Sequence, residues 1–135
     1  MERRKLITDK KEVEKVVNNF FSSYLKGRLT RGLTYLSKKH SFGEDYQSFS
    51  FKHSLDEYDM SMLQKPMTDR HILVFVDYPA AEEDCEAYIS FEDFYEYLEK
   101  AIHQVLKRSV PEGFERLDKN EILQLLGEVK IALEI

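Results

Sequence analysis

Four histidines and one cysteine are the residues best suited to metal binding or nucleophilic chemistry. None of them has the His-x-x-x-His or Cys-x-x-Cys spacing that brings two ligands onto one metal ion. We therefore expect no metal site and interpret each histidine as an ordinary surface or core residue. The five residues are His40, His53, His71, His103 and Cys85.

Cys85 follows the run Glu82-Glu83-Asp84 and precedes Glu86. Neighbouring carboxylates destabilise a thiolate and raise the pKa of the thiol, so Cys85 is a poor nucleophile and is expected to be a half-buried strand residue. The glycines are isolated, which leaves no phosphate-binding loop or nucleophile elbow. Paired carboxylates need a pocket that separates their pKa values before they can do acid–base work. The sequence thus predicts no catalytic residues, no enzyme and no cofactor.

The chain of 135 residues is 42% hydrophobic, which suits one folded domain spanning residues 1–135. A single cysteine is typical of a reducing compartment. The charged start, Met1–Ile7, lacks the pattern of a secretory signal, and the longest apolar run, Ile72–Val76, is too short to cross a bilayer. We expect a cytoplasmic protein without membrane association. A monomer is favoured, although the oligomeric state is left open.

Charge is distributed unevenly along the chain. Residues 1–40 hold 11 Lys/Arg and 4 Asp/Glu, whereas residues 41–135 hold 9 and 21. The segment Asp77–Glu99 has nine acidic residues, no Lys or Arg, and four tyrosines. Tyrosines and acids are suited to binding a basic protein, although a merely solvated acidic face is the alternative. The residues predicted to bind the partner are Glu82, Glu83, Asp84, Glu86, Glu92, Tyr95 and Glu96.

Periodicity and capping patterns define the elements that must position these residues. Helices are predicted over about Lys10–Lys26 with Gly27 as a stop, over Leu29–Leu36, from a Ser90 cap to about Arg108, and from the Asp118-x-x-Glu121 box to the end. Strands are predicted at Tyr46–Phe51, Leu55–Met62, His71–Tyr78 and Cys85–Ile89, the last two forming a hairpin. Gln64–Asp69 is a predicted loop, and Pro111 and Gly113 separate the last two helices. The fold class is therefore α+β, with a small antiparallel sheet packed against N-terminal and C-terminal helices in a single domain.

The segment Ala87–Leu98 resembles the strand-to-helix step of immunity proteins from contact-dependent growth inhibition (CDI) systems, in the ribonuclease-toxin group. That step is an apolar strand, a capping Ser90, and an acidic, aromatic helix. Supporting similarities are Phe42-Gly43 followed by Tyr46 and Ser48–Phe51, and the closing helix Leu125–Leu133. The resemblance covers the last two thirds of the chain. It implies a cytoplasmic protein that binds the toxic domain of a large secreted or surface protein, a basic nuclease, and it brings no enzymatic residues.

Three other functions are compatible with parts of the sequence. An adaptor for a different basic protein would use the same acidic face, and a small ligand-binding enzyme would need a polar pocket between sheet and helices. Nucleic-acid binding by the basic first helix is disfavoured by the net charge of −5. The basic residues concerned are Lys10, Lys11, Lys15, Lys26, Arg28 and Arg31.

Overall fold

A computed structural model describes residues 4–22, 26–44, 46–108 and 117–135, and the side chains of residues 26 and 27 are not included. Five strands and five α-helices alternate irregularly along this part of the chain, with a 3-10 turn at Lys52–Ser54. In chain order they are β1 (Lys5–Leu6), α1 (Lys10–Phe21), α2 (Lys26–Ser37), β2 (Phe42–Glu44), β3 (Gln47–Ser50), α3 (Glu57–Ser61), β4 (His71–Val76), β5 (Cys85–Ser90), α4 (Phe91–Lys107) and α5 (Lys119–Ala132).

The strands form one sheet in the order β1-β5-β4-β3-β2. Strands β2 to β5 are antiparallel neighbours, with Phe49 opposite Val74 and Val74 opposite Ala87. The two-residue strand β1 pairs in parallel with β5. The predicted α+β fold and the β4–β5 hairpin are confirmed, and the sheet is mixed because β1, which no sequence pattern indicated, joins its edge.

Helices α1, α2, α4 and α5 contribute to one core with one face of the sheet. Phe49 reaches this core from β3 and lies 5.5 Å from Phe21 of α1 and 5.9 Å from Phe94 of α4, measured between ring centroids. All three side chains are fully buried. Burial of such aromatic side chains is the main source of stability for this layer and fixes the helices on the sheet.

The opposite face of the sheet is more polar and is only partly covered. One row across it consists of the Cα partners Ser48, Phe75 and Glu86, and the next consists of Ser50, Leu73 and Tyr88. The segment from the 3-10 turn through α3 lies over part of this open face and lines a cavity with Ser48, Ser50 and Phe75.

Several helix predictions are confirmed, including the caps. Asp9 accepts hydrogen bonds from the backbone of Lys11 and Glu12, Ser90 from that of Asp93, and Asp118 from that of Glu121. The α2 helix extends the predicted Leu29–Leu36 segment at both ends. Gln64–Asp69 lies outside regular elements as predicted.

Two segment predictions are wrong. The first helix ends at Phe21 instead of Lys26, where Ser22 donates hydrogen bonds to Asn18 from both its backbone and its hydroxyl, and Gly27 lies within α2 instead of ending α1. Serine near a helix end competes for such bonds. The predicted strand Leu55–Met62 is largely helical, because Asp56 and Asp59 form a reciprocal capping box that starts α3. Residues 23–25 and the Pro111–Gly113 separator lie outside the described residues.

Candidate partner-binding surfaces

Two turns meet at one end of the sheet and display an acidic, aromatic surface. The β2–β3 and β4–β5 turns are held together there by a hydrogen bond from the backbone of Asp77 to the carbonyl of Tyr46 (2.8 Å). Tyr46 is 63% exposed and Tyr78 is 68% exposed. Glu82, Glu83 and Asp84 are exposed in the same β4–β5 turn as Tyr78. We call Tyr46, Tyr78, Glu82, Glu83 and Asp84 the sheet-tip surface.

Local contacts order the β4–β5 turn. A carboxylate oxygen of Asp84 accepts a hydrogen bond from the backbone of Tyr78 (2.9 Å), which closes the turn on itself. Asp77 forms a two-point ion pair with Arg4 (2.9 and 3.3 Å). The turn is thereby fastened to the start of β1, so that its remaining carboxylates are presented from a defined backbone.

Basic side chains of the N-terminal third flank the acidic turn. Lys5 lies 3.8 Å from Glu83, with both side chains more than half exposed. Lys15 and Arg28 line the same groove as Glu82 and Glu83. Exposed ion pairs of this kind contribute little to stability. They do place positive charge along one side of the sheet-tip surface. The negative charge of the surface is therefore least compensated on its other sides.

The remaining predicted partner-binding residues lie elsewhere. Glu86 is 3% exposed within β5, on the open face of the sheet. Glu92 is in the first turn of α4, beyond the far end of β5, where it pairs with Arg70. A six-residue strand spans about 20 Å, so the structure does not bring Glu92 together with the sheet-tip surface. Glu96 is exposed on α4, and Tyr95 is half-buried beside it.

Burial and neighbouring charges shift several pKa values in these regions. The hydrogen bond and charge of Arg70 lower the pKa of Glu92. Burial raises the pKa of Tyr95, and Glu99 adds to that effect. Burial, followed by the charge of Glu83, also raises the pKa of Cys85, whose thiol donates a hydrogen bond to the Glu83 carbonyl (3.2 Å). Cys85 is therefore a buried strand thiol, as its sequence neighbours indicated.

A second acidic, aromatic segment was missed by the sequence analysis. The short helix α3 and its cap carry exposed Asp56, Glu57 and Asp59 around Tyr58, which is 65% exposed, and Met60. The aspartates three residues apart were the available signal, since this spacing is that of a capping box. This signal was not used, because the segment Leu55–Met62 was interpreted as a strand.

Two further findings concern chemistry and membranes. Within the described ranges, no three His, Cys, Asp or Glu side chains come close enough together to hold a metal ion. His40 stacks on Tyr35 and His53 on Phe51, both in contacts typical of packing. None of the helices in the described part of the chain is both long and apolar enough to span a bilayer.

Comparison with known families identifies the class of protein. The CdiI_4 family, described as CDI immunity protein, matches residues 13–116. The match includes the sheet-tip surface, α3, the sheet from β2 to β5, and α4. No curated protein and no solved structure gave a significant match. Because the family match covers well over half of the chain, this protein belongs to the CDI immunity protein family.

Proposed function

We propose that this protein neutralises a cognate CDI toxin in the cytoplasm by binding the toxin domain through the sheet-tip surface, and that the toxin is a ribonuclease. The observation that supports the proposal is the placement of two exposed tyrosines, Tyr46 and Tyr78, at the same end of the sheet as the three exposed carboxylates of the β4–β5 turn. Family membership supports a toxin as the partner.

The physical basis is complementarity of charge and shape. A ribonuclease needs a basic surface for the phosphate backbone of its substrate. Carboxylates of Glu82, Glu83 and Asp84 can occupy such a surface and exclude RNA, and they also speed the encounter of the two proteins. The tyrosines supply large contact areas at low entropic cost, which is the usual role of tyrosine at interfaces.

Glu92, Tyr95 and Glu96 are a separate part of the proposal. Because α4 lies on the helical side of the sheet, these residues would contact the toxin only if it extended around the molecule from the sheet tip. We assign them a peripheral contribution. Glu92 is already paired with Arg70, whereas Glu96, the other acid, takes part in none of the ion pairs of the described residues.

The test is a charge reversal at the sheet tip with a matched reversal elsewhere. The product of the open reading frame directly upstream, as the candidate toxin, is co-expressed with the wild type, with Glu82→Lys/Glu83→Lys, and with the control Glu121→Lys/Glu128→Lys on exposed positions of α5. Both variants change the net charge equally. Growth rescue, intact cellular RNA and the Kd of the purified pair are measured.

Loss of rescue and a Kd raised about tenfold or more in the sheet-tip variant, with the control close to wild type, is expected. Equal affinity of both variants would show that the sheet tip is not the binding surface. A wild-type protein that neither rescues growth nor binds the toxin domain would refute the function itself, and rescue without any protection of RNA would refute a ribonuclease target.

A further inference from the structure

The open face of the sheet holds a cavity that is separate from the sheet-tip surface. It has a volume of about 420 Å³ and lies between α3 and strands β3 to β5. Ser48, Phe75 and Glu86 form one row of its floor. Leu55 and Met62, which flank α3, line it from above. A cavity of this size, part polar and part apolar, has the dimensions of a binding site.

Glu86 gives the cavity a buried negative charge. The side chain is 3% exposed and accepts hydrogen bonds from Gln64 Nε2 (2.7 Å) and from the Tyr88 hydroxyl (3.2 Å), both neutral donors. Within the described residues, Glu86 has no ion-pair partner. Arg4 supplies some opposite charge, since its pKa is raised mainly by Asp77 and to a lesser extent by the charges of Asp84 and Glu86. A buried carboxylate that shares its counter-charge with two other acids is further stabilised by a cation placed next to it.

Arg4 shares the cavity, but its ion pair is with Asp77, and its charge is shared among Asp77, Asp84 and Glu86. Its guanidinium lies 3.9 Å from the centroid of the Phe75 ring and forms the two-point ion pair with Asp77 described above. Arg4 therefore shows that the cavity wall accommodates a planar guanidinium. Glu86 and Asp59, the other charged residues of the lining, leave an excess of negative charge.

The mouth of the cavity is also suited to a cation. Tyr58 is exposed at this mouth with Asp59 beside it. In the described part of the chain, neither Asp59 nor its neighbours Asp56 and Glu57 take part in an ion pair. An aromatic ring attracts a cation to its face. Arginine fits better than lysine, because its planar, weakly hydrated guanidinium group can stack on a ring and bind a carboxylate at the same time.

We propose that this cavity receives an arginine side chain of the toxin domain, with Glu86 as the buried counter-charge and Tyr58 as the stacking partner at the mouth. The inference rests on the proposed function, since the toxin is the partner. It adds a second contact on the open face of the sheet, held by residues outside the sheet-tip surface. An arginine buried in such a pocket has the properties of a binding hot spot.

Two variants of different kinds test the proposal. Glu86→Gln removes the charge while nearly keeping the size of the side chain. Its one amide oxygen can retain one of the two hydrogen bonds, which Glu86 accepts on separate oxygens. Ser48→Phe fills the cavity from the floor without changing any charge, at a strand position where an aromatic residue is well tolerated. Glu128→Gln on the exposed face of α5 is the charge-matched control. Folding is checked by thermal melting, and the Kd for the purified toxin domain is measured.

We expect Glu86→Gln and Ser48→Phe each to raise the Kd about tenfold or more, with both variants still unfolding in a cooperative transition and with the affinity of the control unchanged. Wild-type affinity of either folded variant overturns the inference, and if one variant fails to fold the other decides. These results are distinguishable from failure of the proposed function, because the wild-type protein would then form no complex with the toxin domain at all.

Discussion

The phenolic oxygen of Tyr88 lies 3.2 Å from a carboxylate oxygen of Glu86 on the open face of the sheet. The same hydroxyl accepts hydrogen bonds from the backbone of Gln64 (3.1 Å) and Lys65 (3.3 Å). Gln64 in addition donates from its side chain to Glu86 and to the carbonyl of Arg4. Glu86 and Tyr88 of β5 thus hold in place the chain that follows α3, on the side of the cavity opposite the sheet.

Replacement of Tyr88 by phenylalanine should remove the hydrogen bonds of the tyrosine hydroxyl. The variant leaves two backbone N–H groups and one oxygen of the Glu86 carboxylate without the tyrosine hydroxyl, so we expect the free energy of unfolding to fall by about 1–3 kcal/mol. Urea denaturation measures the loss, and faster hydrogen exchange at Gln64 and Lys65 locates it. Tyr78→Phe, at an exposed site, is the control and should change stability by less than about 0.5 kcal/mol. Equal stability of the two variants would contradict the assignment.

Alkaline pH should destabilise the protein. Burial is the main cause that raises the pKa of Cys85, Tyr88, Tyr95 and Tyr97 in the folded state. Their neutral forms are thus favoured by folding, and this contribution is complete below the unfolded pKa values, about 9 for the thiol and about 10 for the phenols. It is lost as the pH rises through the folded values.

The measurement is the free energy of unfolding in urea at a series of pH values from about 7.5 to about 10.5. We expect a decline that begins near pH 9, and a shallower decline for Tyr88→Phe. Stability that stays constant, or increases, across the alkaline range would show that these side chains are not buried in the folded state.

Helix caps and apolar periodicity were sufficient to predict α1, α4 and α5, because both signals are local. The two failures have different causes, one long-range and one local. Strand β1 has only two residues and exists because Lys5 and Ile7 donate hydrogen bonds to the carbonyls of Asp84 and Glu86, which are distant in sequence. The α3 helix depends on one capping box within a stretch whose apolar residues suggested a strand.

The exposure of the acidic turn could be predicted from the sequence, whereas the placement of the residues around it could not. The run Glu82-Glu83-Asp84 is exposed because adjacent acids in a turn remain solvated, which composition alone indicates. Glu86 comes two residues after this run, but it lies within β5. Alternation along the strand places it on the open face of the sheet, where it is 3% exposed. Tyr46 joins the surface only because β3 pairs with β4, and pairing over that sequence distance has no local signal.

The Ser90 hydroxyl caps α4 by accepting a hydrogen bond from the backbone of Asp93 (3.2 Å). Ser90→Ala should lower the free energy of unfolding by about 1 kcal/mol, since alanine cannot cap. Ser90→Asp should retain most of the stability, because an aspartate caps equally well and suits the positive end of the helix dipole. Urea denaturation of the three proteins provides the comparison, and an alanine variant as stable as the aspartate variant would exclude a capping role.

Association with the toxin domain should slow as salt concentration rises. If the exposed carboxylates of Glu82 and Glu83 attract a basic partner, screening reduces the association rate much more than the dissociation rate. We therefore expect the association rate constant, followed by stopped-flow fluorescence, to fall about tenfold or more between low and physiological ionic strength. The Glu82→Lys/Glu83→Lys variant should lose most of this dependence, and Glu121→Lys/Glu128→Lys should retain it. Since both variants alter the net charge equally, an identical salt dependence would mean that the charge of the whole molecule, and not that of the sheet tip, guides the encounter.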